Sequence, residues 1–149
     1  MAETSKFLGQ WEMDDLCEKS ENFLNFCKAV AMTPDEIEYY KKMRETIAYS
    51  GQGDKWICEI SMGENKSRHE FTLGIKNPPE KGIDGSTFCI EPKLETPDKL
   101  VEIATTKLLG HDKEVVTKTV RTLTAANKMK SIVTDVASGV AMTFYATRK

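Results

Sequence analysis

From Thr46 to the C-terminus the apolar residues of this chain recur at every second position, whereas residues 20–44 carry a helical period. Ahead of both stands Phe7-Leu8-Gly9-Gln10-Trp11, an apolar strand interrupted by glycine. One strand, two helices and then a long run of strands is the order that most narrows the choice of fold. A glycine inside an apolar strand marks a bend or a close backbone approach. Phe7, Gly9 and Trp11 share one strand face. The pentapeptide by itself fits either a bent first strand closing a barrel, with the indole plugging one end, or an ordinary strand with one core tryptophan.

The strand signals are regular. In 55–62, Trp56, Cys58, Ile60 and Met62 fall on one face and Lys55, Glu59 and Ser61 on the other, the pattern of a half-buried strand. In 67–73, His69, Phe71 and Leu73 oppose Arg68, Glu70 and Thr72. Further strands are expected at 87–91, 99–106, 114–124, 128–136 and 139–147. Turn clusters such as Ser50-Gly51-Gln52-Gly53-Asp54 and Gly110-His111-Asp112 separate them, and 74–86, with Pro78-Pro79, is the loop-richest stretch. Short, evenly spaced strands with tight turns predict an antiparallel meander, hence a barrel or a sandwich.

The helical stretch reads as a hairpin. Ser20 is the expected N-cap of a first helix that puts Phe23, Phe26, Cys27 and Val30 on one face. Thr33-Pro34-Asp35-Glu36 restarts a helix with a capping box and a first-turn proline. This second helix is expected to run to about Arg44. A helical hairpin beside a closed meander can cover one open end. A lidded barrel is a container, so the pattern points to ligand binding.

Composition narrows the function. The 149 residues fit a single domain, 1–149, and the net charge of −2 argues against a nucleic-acid binder that works by phosphate neutralisation. No apolar run reaches the ~18 residues of a transmembrane helix, and the start Met1-Ala2-Glu3-Thr4 lacks a signal-peptide pattern. Cys17, Cys27, Cys58 and Cys89 form neither a C-x-x-C motif nor a cluster with histidine, so no metal and no cofactor are expected and the cytoplasm is the expected compartment. The chain shows no phosphate loop and no nucleophile motif, so it is not expected to be an enzyme.

These residues resemble the intracellular fatty-acid-binding protein family, which includes the retinoid carriers. The aromatic-x-Gly-x-Trp of that family is met by Phe7, Gly9 and Trp11, its Glu-Asn-Phe by Glu21-Asn22-Phe23, and its aromatic-x-Lys by Phe26-Cys27-Lys28. Gly53-Asp54 and Leu73-Gly74 fit without a gap from Phe7. The match loosens from Ile75 to about Asp98 and returns at Val120-Arg121-Thr122-Leu123 and 140–145. The resemblance implies a mainly β fold: a ten-stranded antiparallel up-and-down barrel of calycin, lipocalin-like type, with a two-helix lid at about 20–44 between the first two strands. It further implies a cytoplasmic, monomeric carrier of a long-chain fatty acid or a similar hydrophobic ligand. Lys28, Lys41, Lys42 and Arg44 offer the lid a basic face for transient membrane contact, but the neighbouring Glu36, Glu38 and Glu45 fit a solvated helix surface better.

Many such carriers hold the ligand carboxylate with two arginines and a tyrosine. Arg121 matches the first arginine, Tyr145 matches the tyrosine, and Thr143 stands at the second arginine position. Alternation alone leaves Arg121 equally open to a solvent-facing place. In the last strand Val140, Met142 and Phe144 form the more apolar face, whereas the resemblance turns Thr143 and Tyr145 inward; a one-residue slip exchanges the two. Phe23 is expected under the lid, and Trp56, Cys58, Ile60 and Phe71 are expected to line the interior with His69. The missing arginine keeps a retinoid, bile acid or neutral lipid open as the ligand. A membrane-surface protein with an incidental cavity is the alternative from another class.

Overall fold

The computed structural model describes residues 5–82, 85–107 and 114–149. In chain order these form strand β1 (Gly9–Met13), a 3-10 turn at Cys17–Lys19, helices α1 (Phe23–Ala29) and α2 (Pro34–Tyr40), and strands β2 (Glu45–Gln52), β3 (Lys55–Met62), β4 (Asn65–Thr72), β5 (Glu80–Lys81), β6 (Thr87–Thr96), β7 (Lys99–Lys107), β8 (Glu114–Ala125), β9 (Lys128–Asp135) and β10 (Ala141–Arg148). The strands make one ten-stranded antiparallel sheet in the order β4-β3-β2-β1-β10-β9-β8-β7-β6-β5. First and last strands pair, Trp11 opposite Arg148, so the sheet curls into a nearly closed barrel. This is the expected up-and-down barrel with two helices between its first two strands. The turn expected at Gly110-His111-Asp112 and the segment Met1–Thr4 lie outside the described residues.

No ladder joins β4 to β5; side chains span that seam instead. His69 on β4 meets Glu80 on β5 through Nδ1, at 3.0 Å. Asn77, buried between them, accepts from the Thr72 N–H at 2.8 Å and donates to the carbonyls of Thr72, Ile75 and Ile90. A two-residue β5 inside 74–86 was not visible in the proline-rich sequence, because its strand pairing is so short.

The helical hairpin is shorter than its sequence suggests. α1 starts at Phe23 with Asn22 before it in the left-handed region at φ 64°, so Ser20 is not its cap. The cause is Glu21, whose N–H and C=O both pair with Thr143 of β10, at 2.8 and 3.1 Å, and hold the chain extended to that point. α2 has the expected capping box, with Thr33 Oγ1 accepting from the Glu36 N–H and the Glu36 carboxylate accepting from the Thr33 N–H. It stops at Tyr40 rather than near Arg44. The carbonyls of Lys41 and Met43 turn to accept from Glu18 and Cys17 at 2.9 and 2.8 Å, which commits the chain to β2.

The closed end of the barrel is solid. Phe7, Trp11, Ile47, Tyr49, Trp56, Cys58, Phe71, Leu100, Met129 and Ala146 form its core. Each fully buried large side chain there contributes roughly 1.5–3 kcal/mol of transfer free energy. The Trp11 indole N–H donates to the Phe7 carbonyl at 2.9 Å, and the Arg148 guanidinium lies 4.3 Å above the indole ring. Gly9, at φ +129°, makes room for that arginine: a Cβ there would sit 2.6 Å from Arg148 Nη1. The pentapeptide is thus split: Phe7 and Leu8 lie in the turn ahead of β1, the strand starts at Gly9, and the fully buried indole of Trp11 packs in the closed-end core. A second core, Met13, Cys17, Phe23, Cys27 and Phe144, fastens the helices to β1 and β10.

Candidate functional site

Between the helices and the solid core lies a cavity of about 700 Å³, within the ~300–1,000 Å³ typical of small-molecule sites. Its roof is Phe26, Val30 and Met32 with Thr33, Glu36 and Tyr40; its walls include Ile60, Phe88, Val115 and Val133. Polar groups are set among them: Glu45 on β2, Ser67 and His69 on β4, Thr106 on β7 and Thr117 on β8. His69 is fixed on both sides, Nδ1 by Glu80 and Nε2 by Ser67 Oγ at 3.1 Å, with its ring edge-on to Phe88 at 4.8 Å between centroids. Burial pushes the Glu45 carboxyl above the usual carboxylate range; the positive charge of Arg121 opposes that shift and the negative charge of Glu102 adds to it.

Along each wall the residues one step deeper than the lining form a polar bridge across the lumen. On β8 the inward positions run Val115, Thr117, Thr119, Arg121, and on β2 they run Glu45, Ile47, Tyr49. Arg121 is 8% exposed and Glu102, on neighbouring β7, 6%. Arg121 Nε donates to Glu102, and Nη1 donates to Ser131 Oγ at 2.9 Å. From the opposite wall, the Tyr49 hydroxyl donates to the same Glu102 oxygen at 3.1 Å. Burial works against the guanidinium charge, but Tyr49, Glu102 and Glu45 outweigh it and hold Arg121 protonated above its ordinary range. Burial, more than any other cause, also raises the Tyr49 phenol. Among the described residues no buried side-chain polar atom lacks a partner.

Of the residues expected to meet ligand, Ile60 lines the cavity. Trp56, Cys58 and Phe71 lie below it in the closed-end core, and Phe23 packs in the core under the helices. Arg121 faces inward, as the resemblance implied, but at the floor and already paired. The inward placement of Thr143 and Tyr145 is corrected. Tyr145 is 48% exposed, and the two border a shallow depression on the outer surface with Asp14 and Ser20. The inward side chains of β10 are Met142, Phe144 and Ala146. Their register sets Phe144 opposite Ser131, Arg121's partner, and Tyr145 opposite Lys130. Alternation of apolar residues had indicated this face. Sequence reasoning missed Glu102 and Tyr49; an acid among the apolar residues Leu100, Val101 and Ile103 was the available signal for the first.

The architecture is a two-helix lid over an antiparallel barrel with a partly polar cavity beneath the helices. Compared by sequence, the chain matches no family model and no curated protein. Compared by structure, it is similar to a Schistosoma mansoni fatty acid binding protein in complex with arachidonic acid, with a TM-score of 0.80 and 20% identity over 99% of both chains. It is similar to Echinococcus granulosus fatty-acid-binding protein 1, with a TM-score of 0.77 and 19% identity over 96% of this chain and 97% of the other. The secretory abundant heat soluble protein 4 of Ramazzottius varieornatus superposes with a TM-score of 0.77 at 19% identity, over 100% and 99%. The chain has the fold of the fatty-acid-binding proteins, and this structural match covers nearly the whole chain, including the 75–98 stretch where the sequence resemblance loosens. A shared fold does not by itself assign a ligand.

Proposed function

We propose that the protein is a carrier that takes a long-chain lipid amphiphile into the cavity beneath its helices and releases it again. The observation that carries this reading is the cavity of about 700 Å³ beneath the helices, walled by Phe26, Val30, Met32, Ile60, Phe88, Val115 and Val133. Burying an alkyl chain against such walls contributes about 0.8 kcal/mol per methylene. The fatty-acid-binding neighbours support the same reading. Tyr145 has no part in holding the ligand, since it faces outward. No helix of the described residues is long and apolar enough to cross a membrane, and the carrier is read as a monomer of the cytoplasm.

Exchange runs through the helical lid. Leu24 on α1 and Tyr39 on α2 stand 56% and 50% exposed, which favours transient contact of the helices with a lipid surface. The test is titration with Nile red, an uncharged polarity-sensitive dye, followed by displacement with long-chain lipids. Saturable one-to-one binding that Val115→Trp abolishes, with the melting curve kept, supports a ligand inside the barrel. Dye binding that the cavity-filling variant leaves intact rejects it. Sedimentation with phosphatidylcholine vesicles should weaken in Leu24→Ser/Tyr39→Ser.

A further inference from the structure

The charges around the cavity narrow the ligand class further, on the footing that the cavity is a lipid site. We propose that the lipid carries an uncharged hydroxyl or amide headgroup rather than a carboxylate, because Glu102 already fills the carboxylate position on Arg121.

An ionised headgroup withdrawn from water needs a counter-ion, and the strongest one for a carboxylate is a guanidinium fork. Arg121 is the guanidinium at the floor, and its Nε is committed to Glu102 and its Nη1 to Ser131. Glu102 is held from the far wall by Tyr49, so the pair is braced across the lumen and not free to swing aside. An incoming carboxylate would meet a guanidinium whose charge Glu102 already balances, and it could take the Nε side only by displacing that buried carboxylate and leaving it unpaired. No lysine or arginine of the described residues lines the cavity, and the ionisable groups that do, besides Tyr40, are Glu36, Glu45 and His69. His69 is paired with Glu80, so any positive charge it carries is already matched. A fatty acid would therefore place its negative charge beside Glu36 and Glu45 with nothing to answer it.

A hydroxyl or amide avoids these costs. It brings a donor for the Glu45 carboxyl and an acceptor for the hydroxyls of Ser67 and Thr117, all facing the same space. The raised carboxyl of Glu45 suits a neutral partner for the same reason.

The experiment compares oleyl alcohol, oleamide and oleate, matched in chain, as competitors of Nile red at pH 8 and 0.15 M salt. The alcohol and the amide should displace the dye at concentrations at least tenfold below oleate. Oleate binding as tightly as either, or more tightly, overturns the proposal while leaving the lipid cavity standing. If the dye itself does not bind, the carrier reading fails and the headgroup proposal with it. Glu102→Gln releases Arg121 and should move the alcohol-to-acid preference at least tenfold toward the acid. A folded Glu102→Gln protein with an unmoved preference also overturns it, and if that variant does not fold, the wild-type series decides alone.

Discussion

Without the Arg121 side chain, Glu102 is a carboxylate sealed in the barrel with only Tyr49 to hold it. Breaking one side of a buried pair costs about 3–5 kcal/mol, whereas replacing both sides with apolar groups is often neutral. Arg121→Met should therefore lower the urea midpoint sharply, and Arg121→Met/Glu102→Leu should recover most of the loss. Recovery absent from the double variant would mean that the pair matters to packing and not as a pair. The thiols of Cys17 and Cys27 give a second prediction at this scale. Burial first, with Glu45 and Cys27 adding for Cys17, pushes both up to about 11 from an ordinary 9.0. The folded state then keeps its thiol protons where the unfolded chain has lost them, so stability is full below pH 9 and falls as pH rises toward 11. Denaturation profiles across that window should flatten in Cys17→Ala/Cys27→Ala. A slope unchanged from wild type would place the alkaline loss elsewhere.

Among elements, α2 is the weakest described helix. It spans Pro34–Tyr40, contains no buried residue, and depends on the Thr33–Glu36 capping box. Thr33→Ala should cost about 1 kcal/mol of local stability. Amide exchange should quicken in α2 while β6–β10 stay protected, and equal acceleration in the strands would show that lid and barrel open together. The seam between β4 and β5 is the other soft element, closed by side chains rather than a ladder. Asn77→Ala strands the Thr72 N–H and should cost about 1–3 kcal/mol, read as a lower melting temperature. These elements also mark where the sequence was readable. The period-two patterns of β3 and β4 and the capping box of α2 were legible because each is a local signal. The start of α1 was not, since it depends on Glu21 pairing with Thr143 far along the chain. The last strand carries a sharper lesson: its own alternation indicated Phe144 inward, and only the borrowed register turned Tyr145 in.

For the whole molecule, the division into a solid end and a hollow end matters most. The closed end collects Phe7, Trp11, Tyr49, Trp56, Phe71, Leu100 and Met129, and the hollow end has little beneath the helices besides its lining. That division was invisible in the sequence. Trp56, Cys58, Phe71, Ile60 and His69 all sit on inward faces, and only the depth of each along its strand separates plug from lining. Stability and ligand capacity thus reside in different halves, so cavity-lining changes such as Thr117→Val should shift ligand affinity with little change in melting temperature. At the solid end, Arg148 donates to the carbonyls of Lys6 and Leu8 and lies in the space that glycine leaves at position 9. These two positions, at opposite ends of the chain, therefore constrain each other. A side chain at 9 evicts the guanidinium, and losing Arg148 opens a hollow beside Trp11. In related chains, glycine at the first position and arginine at the second should be kept or abandoned together.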